Sequence, residues 1–195
     1  MAIVPIYNCF HPVLRKPTTK VESMTDEIKS LINNLWDTLY NVSNGVGLAA
    51  NQIGADKSVI VIDTSLNGTV EGSGPILLIN PEITYFSEEL IVDKEGCLSI
   101  PELFEDVVRS ETIQIKYYDI EMNEHLDEAE GFLAIVMQHE VDHLVGKLFF
   151  DRFTPLKRAL TKGKLNKIAR GKFITAYDMI QADGSFTKGE PDEED

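Results

Sequence analysis

Basic residues are scarce in this chain: 18 Lys and Arg stand against 32 Asp and Glu, a formal net charge of -14. A protein of that sign repels nucleic acid as a whole, which argues against a general DNA- or RNA-binding role. Cysteine is scarcer still, two in 195 residues, and two cannot build a disulfide framework. Both thiols are therefore free to be ligands, and nothing demands an oxidising compartment. No apolar run approaches the roughly 20 residues that span a bilayer. Residues 1–14 contain no Lys or Arg and are interrupted by Pro5 and Pro12, unlike a secretory signal. The chain reads as cytoplasmic, without a membrane span or an internal repeat. Its length and 43% hydrophobic content suffice for one domain with a sizeable core.

Histidine is also rare, yet two of the four fall within Gln138-His139-Glu140-Val141-Asp142-His143-Leu144. Residues four apart share a helix face, so His139 and His143 present two imidazoles to one metal ion. Glu140, one position past the first, reaches water at that metal and serves as its general base. The apolar lead-in over 130–137 predicts a helix buried for most of its length, and Gly146 is its stop signal. A buried helix holds its ligands rigidly, which suits catalysis. The motif lacks a nearby third ligand, since Phe149 stands where one class of zinc proteases has a further His. The softer candidates for it are Cys97, His11, His125 and Cys9, with many carboxylates behind them.

Upstream, residues 1–22 read as an irregular arm because Pro5, Pro12 and Pro17 block a regular helix. Within the arm, Cys9 reads as a packed thiol and His11 as a solvated imidazole. Ile28, Leu31, Ile32, Leu35, Trp36 and Leu39 recur at threes and fours, predicting an amphipathic helix over 25–41 with Trp36 in the core. The run Gly45-Val46-Gly47-Leu48-Ala49-Ala50-Asn51-Gln52 lets a backbone approach something closely; without a following Lys-Ser/Thr it is not a phosphate loop. Residues 58–63 and 76–79 read as buried strands, and 83–92 as a further one. Thr64–Gly68 and Gly72-Ser73-Gly74 mark a mobile connection.

Cys97 sits in Lys94-Glu95-Gly96-Cys97-Leu98-Ser99-Ile100-Pro101, a shaped loop at a strand end that offers a thiolate and free backbone N–H groups. Residues 107–109 and 112–118 read as strands. His125 falls on a short strand as a solvated side chain. Thr154-Pro155 caps a last helix, and seven basic residues lie over 155–172 with no acidic one. From Gln181 to Asp195 the composition predicts a disordered acidic tail beyond a 1–180 catalytic domain.

Three stretches stand in order: residues 45–52, Glu95-Gly96-Cys97-Leu98-Ser99, and 138–143. Together they resemble the signature motifs of peptide deformylase, the hydrolase that removes the formyl group from the initiator methionine of new bacterial and organellar proteins. The likeness of organisation runs from about Pro12 to about Leu160. It implies a bacterial cytoplasmic enzyme acting on N-formylmethionyl nascent peptides, with Cys97 as the third metal ligand beside His139 and His143. The implied cofactor is one divalent ion per chain, Fe2+ in the cell, with Zn2+, Ni2+ or Co2+ able to replace it. The resemblance assigns Glu140 as proton carrier, and Gln52 and the Leu98 backbone N–H as donors to the developing oxyanion. It assigns Val46, Phe132, Ile135 and Val136, with His139, to the methionine pocket, and Gly47 and Gly96, with Val46, to backbone pairing with the substrate. It also suggests an ion pair between Glu95 and Arg109 in support of the Cys97 loop. One departure is Glu102-Leu103-Phe104-Glu105, where many bacterial relatives carry an Arg that contacts the peptide.

The basic segment 155–172 is compatible with docking on ribosomal RNA. Two other readings compete: a metal peptidase or different amidase, and a catalytically silent ribosome-associated module. The expected fold is α+β, a single domain of antiparallel strands packed around the central metal-binding helix.

Overall fold

In the computed structural model, which describes residues 2–42, 45–68 and 73–190, α1 spans Asp26–Asn41 and Thr25 caps it by accepting the Ile28 N–H. Its stripe of Ile28, Ile32, Leu35 and Leu39 is buried, as the three-and-four spacing requires. Trp36 is only partly buried at the margin of that cluster, stacked on Tyr40 with ring centroids 5.5 Å apart.

The stripe packs on a five-stranded antiparallel sheet in the order β2-β3-β4-β7-β8: Gly47–Ala49, Val59–Ile62, Ile76–Phe86, Thr112–Tyr118 and Glu124–Glu130. In β3 every residue is buried, Val59 and Val61 in the cluster under α1, Ile60 and Ile62 in a second cluster. Alternating side chains point to opposite faces, so β3 is covered on both. Its second cover is α2, Gly131–Leu144, whose Ala134, Val136, Met137 and Leu144 lie with Ile60 and Ile62. Each fully buried aliphatic of this kind contributes about 1.5–3 kcal/mol. The helix stops at Gly146 (φ 74°), where a Cβ would sit 2.7 Å from the Arg15 carbonyl oxygen.

Between β4 and β7 the chain makes a separate antiparallel ribbon, β5 (Leu90–Cys97) with β6 (Ile100–Ser110). The single strand expected over 83–92 is thus two strand ends. Ser87 breaks it: its hydroxyl donates to the Glu89 carbonyl at 2.9 Å and accepts the Thr112 N–H at 3.0 Å. A third cluster, with Ile100, Leu103, Val107, Phe149, Phe153 and Ile168, holds the ribbon against α3, Pro155–Ala169. Gly163 lies inside α3 without interrupting it.

The terminal segments differ from their sequence reading. β1 (Ile6–Tyr7) of the irregular arm pairs in parallel with β9 (Met179–Ile180), and β10 (Phe186–Thr187) pairs antiparallel with β9. Residues 181–190 are therefore not a disordered extension: Gly184 takes φ 85° in the turn, and Asn8 donates to the Gln181 side chain at 3.0 Å. Pro191–Asp195 and Gly72 lie outside the described residues. Among the described residues no helix is long and apolar enough to cross a membrane.

Candidate metal centre

His139 and His143 project from the same face of α2, and Cys97 ends β5, where the register with β6 shifts between Glu95 and Cys97. One donor atom from each lies within 4.8 Å of the other two; Cys97 Sγ is 3.3 Å from His143 Nε2. No other described group of three or more His, Cys, Asp or Glu gathers in this way. The remaining candidates have other roles. Cys9 is buried, and burial pushes its thiol far up. His11 Nδ1 accepts the Val13 N–H at 3.2 Å, and His125 pairs with Asp119 at 2.8 Å.

Three features fit a divalent cation. The donors are one soft sulfur and two imidazoles, a catalytic set that leaves a coordination position open. His139 Nδ1 lies 2.8 Å from Glu95 Oε2, which orients the ring and leaves Nε2 for the ion. Burial opposes a charged His139, yet Cys97 and Glu95 outweigh it and hold the ring well above the usual histidine range, so a metal ion bound here displaces a proton from it. Burial holds His143 well below that range, in the neutral form a metal requires.

Glu140 lies on the turn between the two imidazoles. It is 4% exposed, Oε2 has no hydrogen-bond partner among the described residues, and burial raises its carboxyl to about 7. Gly47 on β2 makes room for it: a Cβ there would stand 2.7 Å from Glu140 Oε1. Gln52 is buried; its Oε1 accepts the Ala49 N–H at 2.8 Å, and Nε2 turns toward Ser99 Oγ at 3.2 Å and Cys97 Sγ at 3.7 Å.

Beneath the centre runs a chain of ions, buried at Glu95, Arg109 and Asp142 and ending at the exposed Arg152. Arg109, 2% exposed, donates through Nε and a terminal nitrogen to both Glu95 oxygens at 2.7 and 2.8 Å, and to Asp142 at 2.6 Å. Arg152 closes the chain with two bonds to Asp142 at 2.6 and 2.7 Å. Burial opposes ionisation of Glu95, but Arg109 and His139 hold its carboxyl down to about 2. Two guanidiniums balance two carboxylates, so the group is neutral. The Glu95–Arg109 pair matches its sequence expectation; Asp142 and Arg152 were missed. The signal for them is Asp142 itself, a charge inside the helical repeat of a buried helix.

A cavity of about 580 Å³ opens on Cys97, His139 and Glu140. Val46, Gly47, Gly96, Phe132, Ile135 and Val136 all line it, with Gln52, Leu98 and Glu140. Glu102 and Phe104, from the stretch that departs from the bacterial pattern, line it too, and so does the segment Ile174–Tyr177, which sequence reasoning overlooked. The Tyr177 hydroxyl donates to the Leu98 carbonyl at 2.7 Å, and burial keeps that phenol protonated.

A family model described as polypeptide deformylase matches residues 3–159, which include all three metal donors. The chain is 41% identical over 170 residues to a peptide deformylase of Rhizobium meliloti, covering 87% of this chain and 96% of that one. To one from a Thermotoga strain it is 43% identical over 159 residues, covering 82% and 92%. Among solved structures, a plant peptide deformylase superimposes with a TM-score of 0.81 at 30% identity, covering 88% of this chain and 91% of that one. The Legionella pneumophila peptide deformylase gives 0.77 at 38%, covering 88% and 98%. With the motifs, the fold and the relatives in agreement, this chain belongs to the peptide deformylase family.

Proposed function

We propose that the chain is a metal-dependent amidohydrolase that removes the formyl group from nascent proteins beginning with formyl-methionine, with Glu140 as its proton carrier. The supporting observation is a buried carboxylate with one oxygen unpartnered among the described residues, lining one cavity with Cys97 and His139 of the three-donor cluster. When bound at Cys97, His139 and His143, a divalent ion supplies Lewis acidity, polarising the formyl oxygen and acidifying water. Glu140 takes a proton from the water that attacks the formyl carbon. As the carbon–nitrogen bond breaks, it passes that proton to the departing amine, and formate leaves. A carboxyl raised by burial to about 7 suits both transfers.

Negative charge builds on the formyl oxygen. The Gln52 amide, its orientation set by Ala49, and the Leu98 backbone N–H are assigned as its donors. Gln52→Ala is expected to lower kcat by about 10²–10³-fold with metal content unchanged; normal turnover would remove Gln52 from this role. Val46, Phe132, Ile135 and Val136 are assigned to the methionine side chain. β2 ends one sheet and β5 pairs only with β6, so two open strand edges border the cavity. An extended peptide can add to such edges, and the backbone at Val46, Gly47 and Gly96 is assigned to pair with it.

Ferrous iron is the proposed native ion, and zinc, nickel or cobalt suits the same donors. The proposed setting is the bacterial cytoplasm. Lys162, Lys164, Lys167, Arg170 and Lys172 are exposed along and just beyond α3, a basic strip assigned to ribosomal phosphate. Cosedimentation with ribosomes that falls steeply with salt, and falls further when three of these lysines become glutamine, is the expected result.

The direct test of the activity is formate release from formyl-Met-Ala-Ser by protein loaded anaerobically with ferrous iron. Release that chelation stops and iron restores supports the assignment. No release from loaded protein refutes it.

A further inference from the structure

Two exposed apolar side chains border the cavity on elements that none of the motifs includes. Ile174 is 68% exposed and Phe104 61% exposed, and both line the same cavity as Cys97 and Glu140. Single exposed apolar residues are ordinary on a surface. Two that line the cavity holding Cys97 and Glu140 stand where a bound chain would meet them.

Ile174 is not on a loose loop. Its backbone N–H donates to the Glu102 carboxylate at 3.0 Å. Three residues on, Tyr177 is tied to Leu98. The Glu190 N–H donates to the Thr175 carbonyl at 2.8 Å, and the Gly189 N–H to Asp178 at 2.9 Å. The strap is thus fixed to the Cys97 loop on one side and to the segment after β10 on the other. A wall already fixed loses little freedom when a ligand arrives.

Glu102, on its side, takes a left-handed backbone (φ 62°), which a residue with a side chain adopts at a cost. Its carboxylate holds the strap in place. The first residue of the stretch that departs from the bacterial pattern therefore serves the strap, and the wall it supports is apolar. A cavity of about 580 Å³ takes a ligand larger than one side chain. Phe132, Ile135 and Val136 already suit the first residue, so the following residues of an extended peptide pass the strap.

We propose that the Ile174–Tyr177 strap is a wall of the peptide groove, and that Ile174 with Phe104 selects apolar side chains in the two residues after the formylated one. This rests on the deformylase reading of the metal centre.

The test compares formyl-Met-Leu-Leu with formyl-Met-Ser-Ser in the full chain, in Ile174→Ser and in Ile174→Leu. Two readouts run in parallel: steady-state formate release, and calorimetric titration of the unformylated peptides Met-Leu-Leu and Met-Ser-Ser into iron-loaded protein. The parent is expected to prefer the leucine peptide by about fivefold or more in both, through KM rather than kcat. Ile174→Ser should bring both ratios near one, while Ile174→Leu keeps them. A parent without preference in either readout, or a preference that Ile174→Ser leaves intact, overturns the proposal. Discrimination in the titration with no formate from either peptide upholds the strap and refutes the deformylase reading.

Discussion

Glu140→Gln is expected to lower formate release by roughly 10³-fold or more while leaving bound metal and fold intact. The amide keeps the size of the carboxylate and cannot carry a proton. The same change should stabilise the chelated chain, with a sign set by the shift. Burial raises the Glu140 carboxyl from 4.5 to about 7, so between those values the folded chain holds a proton that the unfolded chain has released. Its contribution is complete below pH 4.5 and is lost as pH rises through 7. Above that pH the charged form sits buried without a partner for Oε2. At pH 8 the chelated variant should be more stable than its chelated parent by on the order of 3 kcal/mol, and at pH 4.5 the two should coincide. Denaturant titrations at both pH values measure this; a parent as stable as the variant at pH 8 would contradict it. A group that lowers stability where it stands is what a proton carrier demands.

The second large effect is expected beneath the metal. Arg109→Ala leaves Glu95 and Asp142 without the guanidinium that satisfies both. Removing one member of a buried pair strands the other's charge and costs about 3–5 kcal/mol. For a chain of this size that lowers Tm by on the order of 10 °C. Metal affinity should fall as well, by about 10–100-fold, because Glu95 no longer has a fixed position from which to orient His139. Arg109→Lys should recover part of the stability and little of the affinity, since an ammonium cannot grip both Glu95 oxygens at once. An Arg109→Ala protein with parental metal affinity would show that Glu95 holds its place without help.

Much of this was legible in the residues. The metal helix could be read because its ligands repeat with the helical period, and α1 because its apolar stripe does. The candidate third ligand could not be singled out by spacing: Cys97 stands more than forty positions before His143, and only the resemblance chose it over Cys9, His11 and His125. Asp142 and Arg152 were hidden for a related reason, since charges on different elements reveal their pairing only when packing brings them together. The strap at Ile174–Tyr177 carries no motif; what exposes it is two side-chain hydrogen bonds to residues more than seventy positions away. The β9–β10 turn did have a signal. Asp183-Gly184 is a common hairpin pair, and the polar composition around it obscured two short strands.

The pairing of Ile6 with Met179 and of Tyr7 with Ile180 bears on how the chain reaches its fold. Closing a loop of nearly the whole chain length costs entropy that a two-residue ladder returns only after the intervening core exists. That stitch therefore forms last. A ribosome making this protein must release the segment beyond α3 before the N-terminal strand finds its partner, so the strap that the same segment carries settles only once that segment has emerged. Until then, Ile6 and Tyr7 have no parallel neighbour to hold them.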